Sequence, residues 1–284
     1  MNSSFLPLHL ATLLFGLAGV IVRAVPGDVL FIVESSAALA ALALLTWAVL
    51  RRIPLNVSSG LCGHYLRLGL LLAAHWYSFF LSIRLTSVAV GLLTYSCYPM
   101  FNLLATAASR RRLPGRKETI RLFMLIFGLV LLLPQWQARD LNLSGIGMGL
   151  LSGLLFSVTQ FINHYLVHTE NSVKILMYQN GIAALALLPL IPLQAAPATL
   201  DAWLAILVLG IACTATAHTL FIAGMRGLAN RTVSLFAYLE PVYGIALAAL
   251  LLSEVPPGMT LAGGAFILGS FLFTKQNYSN ARKN

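Results

Sequence analysis

Long apolar runs broken at short intervals by Pro, Gly, Asn and charged residues make up almost the whole chain. The first, "LPLHLATLLFGLAGVIVRAV", occupies residues 6–25. The breaks predict ten helices near 6–25, 29–50, 64–83, 86–108, 119–136, 144–166, 172–194, 201–223, 232–252 and 258–275. At about 1.5 Å per residue each can cross roughly 30 Å of hydrocarbon, with allowance for tilt and ragged ends. The first run has no basic segment before it and is followed by others like it, so it reads as a retained span rather than a cleaved signal. The connections are short. They leave no room for a soluble domain or a nucleotide-binding loop, so no ATP-hydrolysing engine is expected on this chain.

Composition fixes the solvent of these helices. Of 284 residues, 59% are hydrophobic and 9% charged, and mean hydropathy is +0.86. Soluble domains carry about a quarter charged residues. This chain has too few to coat a water-facing surface, so the expected class is an all-α integral membrane protein. The 18 basic residues then orient it. With the N-terminus in the cytoplasm, only Arg23, Arg84 and Arg139 fall on the far side, a strong positive-inside bias with both termini cytoplasmic. The net charge of +10 needs no nucleic-acid partner. The run "SRRRLPGRK" at 109–117, wedged between two spans, suits anionic lipid head groups instead. Cys62, Cys97 and Cys213 have no metal or disulfide spacing.

Sliding the chain against itself by 142 residues lays "YSCYPMFN" at 95–102 on "AYLEPVYG" at 237–244. Pro99 then matches Pro241, Arg84 matches Arg226, Leu93 matches Leu235 and Pro114 matches Pro256. The expected halves, 1–142 and 143–284, hold five spans each. An odd number inverts one half relative to the other, an arrangement frequent in transporters. Both prolines fall in the fourth span of their half, either as packing kinks or as hinges whose freed carbonyls find other partners. Gly145, Gly149 and Gly153, with "LAGGAFILGS" at 261–270, provide smooth faces for internal packing or for a homodimer, so monomer and homodimer both stay open.

Polar and aromatic residues within the spans are the candidate binding set. Span three carries His75, Trp76 and Ser78. In span four Tyr95, Tyr98 and Asn102 recur at helical spacing, which predicts one shared face. Span six offers Gln160, Asn163 and His164, span seven Tyr178, and span eight His218. Span nine offers Ser234, Tyr238, Glu240 and Tyr243. A single Tyr or Trp is ordinary packing, and a single His or Asn joins two helices. Their number and depth point to a cavity. Aromatic faces enclose an apolar body, while amides and imidazoles hold a carboxylate, amine or hydroxyl. The partner expected is therefore a small amphiphilic organic solute. The histidines make a proton a candidate counter-ion, and downhill export fits equally well. Neither a metal nor a cofactor is expected. Arg23 and Glu34 are assigned structural or gating roles together with Pro99 and Pro241. Pairing with Arg23 is one option for Glu34.

The chain resembles the drug/metabolite transporter superfamily and its EamA-like ten-helix members. The likeness lies in "YSFFLSIRLTSVAVGLLTYSCYPMFNLLATA" at 77–107 and, more specifically, in "LFIAGMRGLANRTVSLFAYLEPVYGIALAALLLSE" at 220–254. It implies two inverted five-helix repeats and alternating access without ATP. It also implies a resemblance in function to exporters of amino acids and other metabolites in bacterial inner membranes. Three departures separate this chain from that pattern. Tyr98 stands opposite Glu240, Glu34 stands where members often have arginine, and the first span lacks their tryptophan. The pattern therefore specifies a scaffold better than a cargo. Amino-acid export is the first expectation. A metallophore or drug exporter comes next, and a membrane-embedded enzyme is disfavoured because no HExxH, nucleophile elbow or paired-carboxylate motif is present.

Overall fold

A computed structural model describes residues 5–109, 111, 113–132, 143–191, 196–227 and 236–270. Every regular element among them is helical. Helix α1 spans Phe5–Ala24 and α2 spans Val29–Leu50. Between them Gly27 takes φ 123°, and the Asp28 carboxylate accepts from Leu30 N at 2.7 Å to start α2. Helix α3 is Ser59–Leu85, α4 is Val88–Tyr95, α5 is Tyr98–Ser109 and α6 is Arg116–Leu132. Helix α7 is Leu143–Leu166 and α8 is Ser172–Leu187, the latter followed by a 3₁₀ turn. Helix α9 (Leu200–Val208) passes through a π-helical segment, Leu209–Thr216, into α10 (Ala217–Gly227). Helices α11 (Leu239–Leu252) and α12 (Gly258–Gly269) complete the described set.

Seven helical stretches among the described residues are long and apolar enough to cross a membrane. Helices α6, α11 and α12 have 17, 14 and 12 described residues. Fourteen residues reach only about 21 Å. These three abut residues 133–142, 228–235 and 271–284, so parts of the predicted spans 119–136, 232–252 and 258–275 lie outside the described residues.

The fourth predicted span departs from a single helix over 86–108. It is α4 and α5, separated at Ser96 and Cys97. Tyr95 therefore ends one helix while Tyr98 and Asn102 belong to the next, and the single face expected for the three is absent. Pro99 is the second residue of α5 and Pro241 the third of α11. In a first turn the missing N–H removes no intrahelical bond. Each proline thus starts a helix after a break instead of kinking one. Ser96 N and Cys97 N still reach Leu92 O and Thr94 O, at 3.0 and 3.2 Å.

Helix α3 packs along α7, α2 along α8 and the π segment, α1 along α11 and α10, and α6 along α12. Small residues permit these approaches. A Cβ at Gly145 would lie 2.6 Å from Thr86 Cγ2, and one at Gly153 would lie 2.8 Å from Tyr95 O. A Cβ at Gly263 would sit 2.6 Å from Gly128 O. Both glycine-rich faces are thus used for contacts within the chain. Large apolar side chains such as Leu6, Phe161 and Leu250 point outward, as helices solvated by lipid require.

Candidate substrate-binding cavity

A cavity lies among α1, α3, α4, α7, α8, the π segment, α10 and the start of α11. About 60 Å³ is open to the centre of a water molecule, room for on the order of four to six waters. One part of its wall is aromatic, with Phe15, Trp76, Phe79, Tyr95, Phe156 and Phe221. The other is polar, with His75, Gln160, Asn163, Gln179, His218 and Glu240.

On α3, His75, Trp76 and Phe79 share a side because they lie within one helical turn. The His75 ring is locked against α7. Its Nδ1 lies 2.9 Å from Ser152 Oγ and 3.0 Å from Ser152 O, so either tautomer finds a partner. Phe156 and Tyr95 flank it at centroid distances of 5.2 and 5.5 Å. His218 follows the π segment. Its Nδ1 lies 3.1 Å from Thr214 O, with Phe15 at 4.6 Å and Trp76 at 5.6 Å edge-on. The two histidines therefore flank Trp76. The widened π turns also bring Leu209, Cys213 and Thr214 to the wall, and π-helical turns recur at functional sites.

Glu240 is the second residue of α11 and 7% exposed. A carboxylate in a first turn faces the positive end of the helix dipole. Close packing sets its place, since a Cβ on Gly16 of α1 would lie 3.1 Å from Glu240 O and 2.6 Å from Gly244 N. Among the described residues no side chain or N–H is bonded to its carboxyl group. The side-chain oxygens Asn163 Oδ1 and Gln179 Oε1 are likewise buried without a partner among the described residues. Neither Lys nor Arg occurs in the described lining.

Other predicted site residues sit elsewhere. Ser78 Oγ donates back along α3 to Ala74 O at 2.7 Å and does not line the cavity. Asn102 Oδ1 accepts from Ser157 Oγ at 2.5 Å, joining α5 to α7. Tyr98 lies behind the wall, against Phe156 at 5.2 Å and Tyr238 at 6.4 Å. The Tyr238 hydroxyl accepts from Arg121 Nη2 at 3.3 Å. Tyr178 donates to Leu55 O at 2.6 Å and anchors the loop between α2 and α3. Tyr243 Oη meets His9 Nδ1 at 2.9 Å. Ser234 and the side chain of His164 lie outside the described residues. The sequence reading missed Gln179 and the phenylalanines. Gln179, an amide beside Tyr178 within a span, is visible in the sequence, whereas a phenylalanine in an apolar span carries no signal of its own.

At the opposite end of α1 from Phe5, a polar tie closes the bundle. Arg23 Nε lies 3.3 Å from Glu254 Oε2, and Val88 N donates to Glu254 Oε1 at 2.7 Å. Arg23 Nη1 donates to Arg84 O at 3.1 Å, while Arg84 Nη2 donates to Val25 O. Ser253, at φ 56°, ends α11 in the left-handed region and turns Glu254 out of the helix. Arg23 thus pairs with Glu254 and not with Glu34, whose carboxylate accepts from Ser35 Oγ at 3.4 Å. Glu254 caps the Val88 N–H at the start of α4, a position that favours an acid.

Residues 143–275 match the EamA-like transporter family. An uncharacterised transporter from Archaeoglobus fulgidus is 26% identical over 195 residues, spanning 69% of this chain and 70% of that protein. A protein known from a crystal structure superimposes with a TM-score of 0.65 over 96% of both chains, at 20% identity, a likeness of fold.

Proposed function

We propose that this chain, whose residues 143–275 match the EamA-like transporter family, is a membrane transporter that exports small amphiphilic metabolites, amino acids foremost, across a bacterial inner membrane. The observation that carries the reading is the cavity, enclosed by aromatic rings and edged by His75, Gln160, Asn163, Gln179, His218 and Glu240. Rings take up an apolar body, and the polar edge takes up its head group.

In this proposal residues 1–142 and 143–284 are inverted repeats of five spans each, ten in all, and the packing supports it. Exchanging the halves carries α1 onto α7, α3 onto the rod from α9 to α10, and α4–α5 onto α11. The contact of α3 with α7 becomes that of α1 with α10 and the π segment, and both contacts occur. The contact of α7 with α4 and α5 becomes that of α1 with α11, and again both occur. The pairs α2–α8 and α6–α12 exchange into themselves.

With both termini cytoplasmic, the Arg23–Glu254 tie lies at the outer face. Asn163, near the end of α7, lies toward the cytoplasm, and Gln179 stands at the middle of α8. The arrangement fits a carrier closed to the outside that takes up cargo from within. Opening requires the α4–α5 and α11 segments to swing at the breaks before Pro99 and Pro241. Anionic lipids at the 109–117 run hold the cytoplasmic face.

The test is export from cells loaded with a mixed metabolite panel, comparing wild type with Trp76→Ala and His75→Ala at matched membrane abundance. Loss of amino-acid efflux in both variants is expected, and unchanged efflux of every solute overturns the proposal. Flux into proteoliposomes under an imposed proton gradient separates antiport from downhill export.

A further inference from the structure

We propose that Asn163 and Gln179 form an uncharged subsite for the head group of a zwitterionic α-amino acid, reading its ammonium and its carboxylate together. This rests on the cavity being the cargo site and names the side chains that select cargo within it. Both residues line the cavity, Asn163 from α7 and Gln179 from α8, at 4% and 2% exposed. Asn163 Oδ1 and Gln179 Oε1 are buried without a partner among the described residues. A buried acceptor left unpaired is costly, so each calls for a donor within the cavity. Asn180, the next residue, differs. Its Oδ1 is also unpaired among the described residues, but its Nδ2 donates to Leu176 O at 2.8 Å and it does not line the cavity. Gln160, three residues before Asn163 on the same side of α7, brings a third amide to the wall.

A primary amide carries one acceptor oxygen and two N–H donors. An ammonium group has donors only, and an ionised carboxylate acceptors only. Paired amides therefore serve both halves of a zwitterion: the orphaned oxygens accept from the ammonium, and the N–H groups donate to the carboxylate. An amine alone leaves those N–H groups unmatched, and a carboxylate alone leaves the oxygens unmatched. A subsite built on hydrogen bonds rejects such analogues more sharply than an apolar one does. A zwitterion also brings no net charge into a lining that has no Lys or Arg among its described residues. Its one described acid, Glu240, enters from α11, which packs on α1 and α4. In the orientation proposed above, Asn163 lies toward the cytoplasm, while Trp76 and Phe79 stand farther along α3 toward its outer end at Leu85. The amino acid is thus held with its head group inward and its side chain among the rings.

The experiment uses the purified full chain in detergent and three probes with the same branched chain. They are L-leucine, a zwitterion; 3-methylbutylamine, which lacks the carboxylate; and 4-methylpentanoate, which lacks the amine. Calorimetric titration of wild type is expected to give leucine at least about tenfold tighter binding than either of the others. Asn163→Leu and Gln179→Met keep the side-chain size close while deleting the amide. Each should weaken leucine by roughly tenfold to a hundredfold, the loss of one hydrogen bond to a charged group. Asn180→Leu, off the wall, should leave leucine affinity unchanged. Either single-charge probe binding as tightly as leucine overturns the proposal, as does a leucine affinity unmoved in either amide variant, an equal loss in Asn180→Leu, or no binding of any probe. Should the variants not fold, the wild-type order of the three probes decides alone. Amino-acid efflux retained in the loaded-cell assay beside any of these failures leaves the transport reading standing and sinks only this one. Absent efflux of every metabolite there sinks the transport reading itself.

Discussion

Glu254 joins three segments at once, and its two oxygens can be tested separately. Oε2 pairs with Arg23 at 3.3 Å, and Oε1 accepts from Val88 N at 2.7 Å. The paired side chains are 36% and 22% exposed, so water screens the ion pair and its contribution is about 0.2–1 kcal/mol. The bond from a backbone N–H to a charged acceptor contributes roughly 1.5–3 kcal/mol. Glu254→Ala removes both and should cost about 2–4 kcal/mol. Glu254→Gln keeps an acceptor for Val88 N and should cost about 1–2 kcal/mol. The first assay is thermal unfolding in detergent, with a double-mutant cycle against Arg23→Gln. The second uses Cys213, which is buried on the cavity wall. In a Cys62→Ser background, an impermeant maleimide added from outside should label Cys213 more in Glu254→Gln than in wild type. A bias of about 1 kcal/mol between the two access states corresponds to roughly fivefold. Zero coupling in the cycle together with unchanged labelling from outside would refute a closing role for this tie.

Four further outcomes follow from the packing. Gly16→Ala places a Cβ 2.6 Å from Gly244 N, and since backbone cannot move aside as a side chain does, a loss of about 1–3 kcal/mol is expected. Gly147→Ala, with nothing within 4 Å, should stay within about 1 kcal/mol of wild type in the same unfolding assay. Tyr178→Phe deletes the bond to Leu55 O and should lower stability by about 1 kcal/mol while leaving cargo affinity in calorimetry unchanged. Pro99→Ala or Pro241→Ala restores an N–H donor at a helix break, and should slow proteoliposome flux more than it weakens cargo binding in calorimetry.

The seven spans among the described residues were legible because lipid imposes one requirement on every residue between two breaks, and the breaks carry Pro, Gly or charge. The two proline positions were legible from the self-match, and the structure sharpened them from kinks to helix starts. Rotation about each helix axis was harder to read. In α2 the polar residues Glu34, Ser35 and Ser36 are consecutive and so point to different sides of the helix, which leaves no single polar face to say which side meets its neighbours. Hence Tyr178 and Tyr243 read as cavity residues although their hydroxyls anchor other segments. His75, Trp76, Gln160, Asn163 and Glu240, each costly or bulky within a span, do reach the wall. The Arg23–Glu254 pair joins residues 231 positions apart in the numbering (254 − 23), which no local pattern reports. The π segment was hidden too, because "LGIACTAT" is small and apolar and fits an α-helix equally well.

The difference between positions 98 and 240 bears on how the two proposed repeats divide charge. Both stand one residue before a proline that starts a helix, yet one is Tyr and the other Glu. The Tyr98 ring is packed among Tyr95, Phe156 and Tyr238, so its site is already filled by aromatic carbon. A glutamate in its place would bring a second carboxylate into a packed aromatic cluster, at the cost of burying a charge.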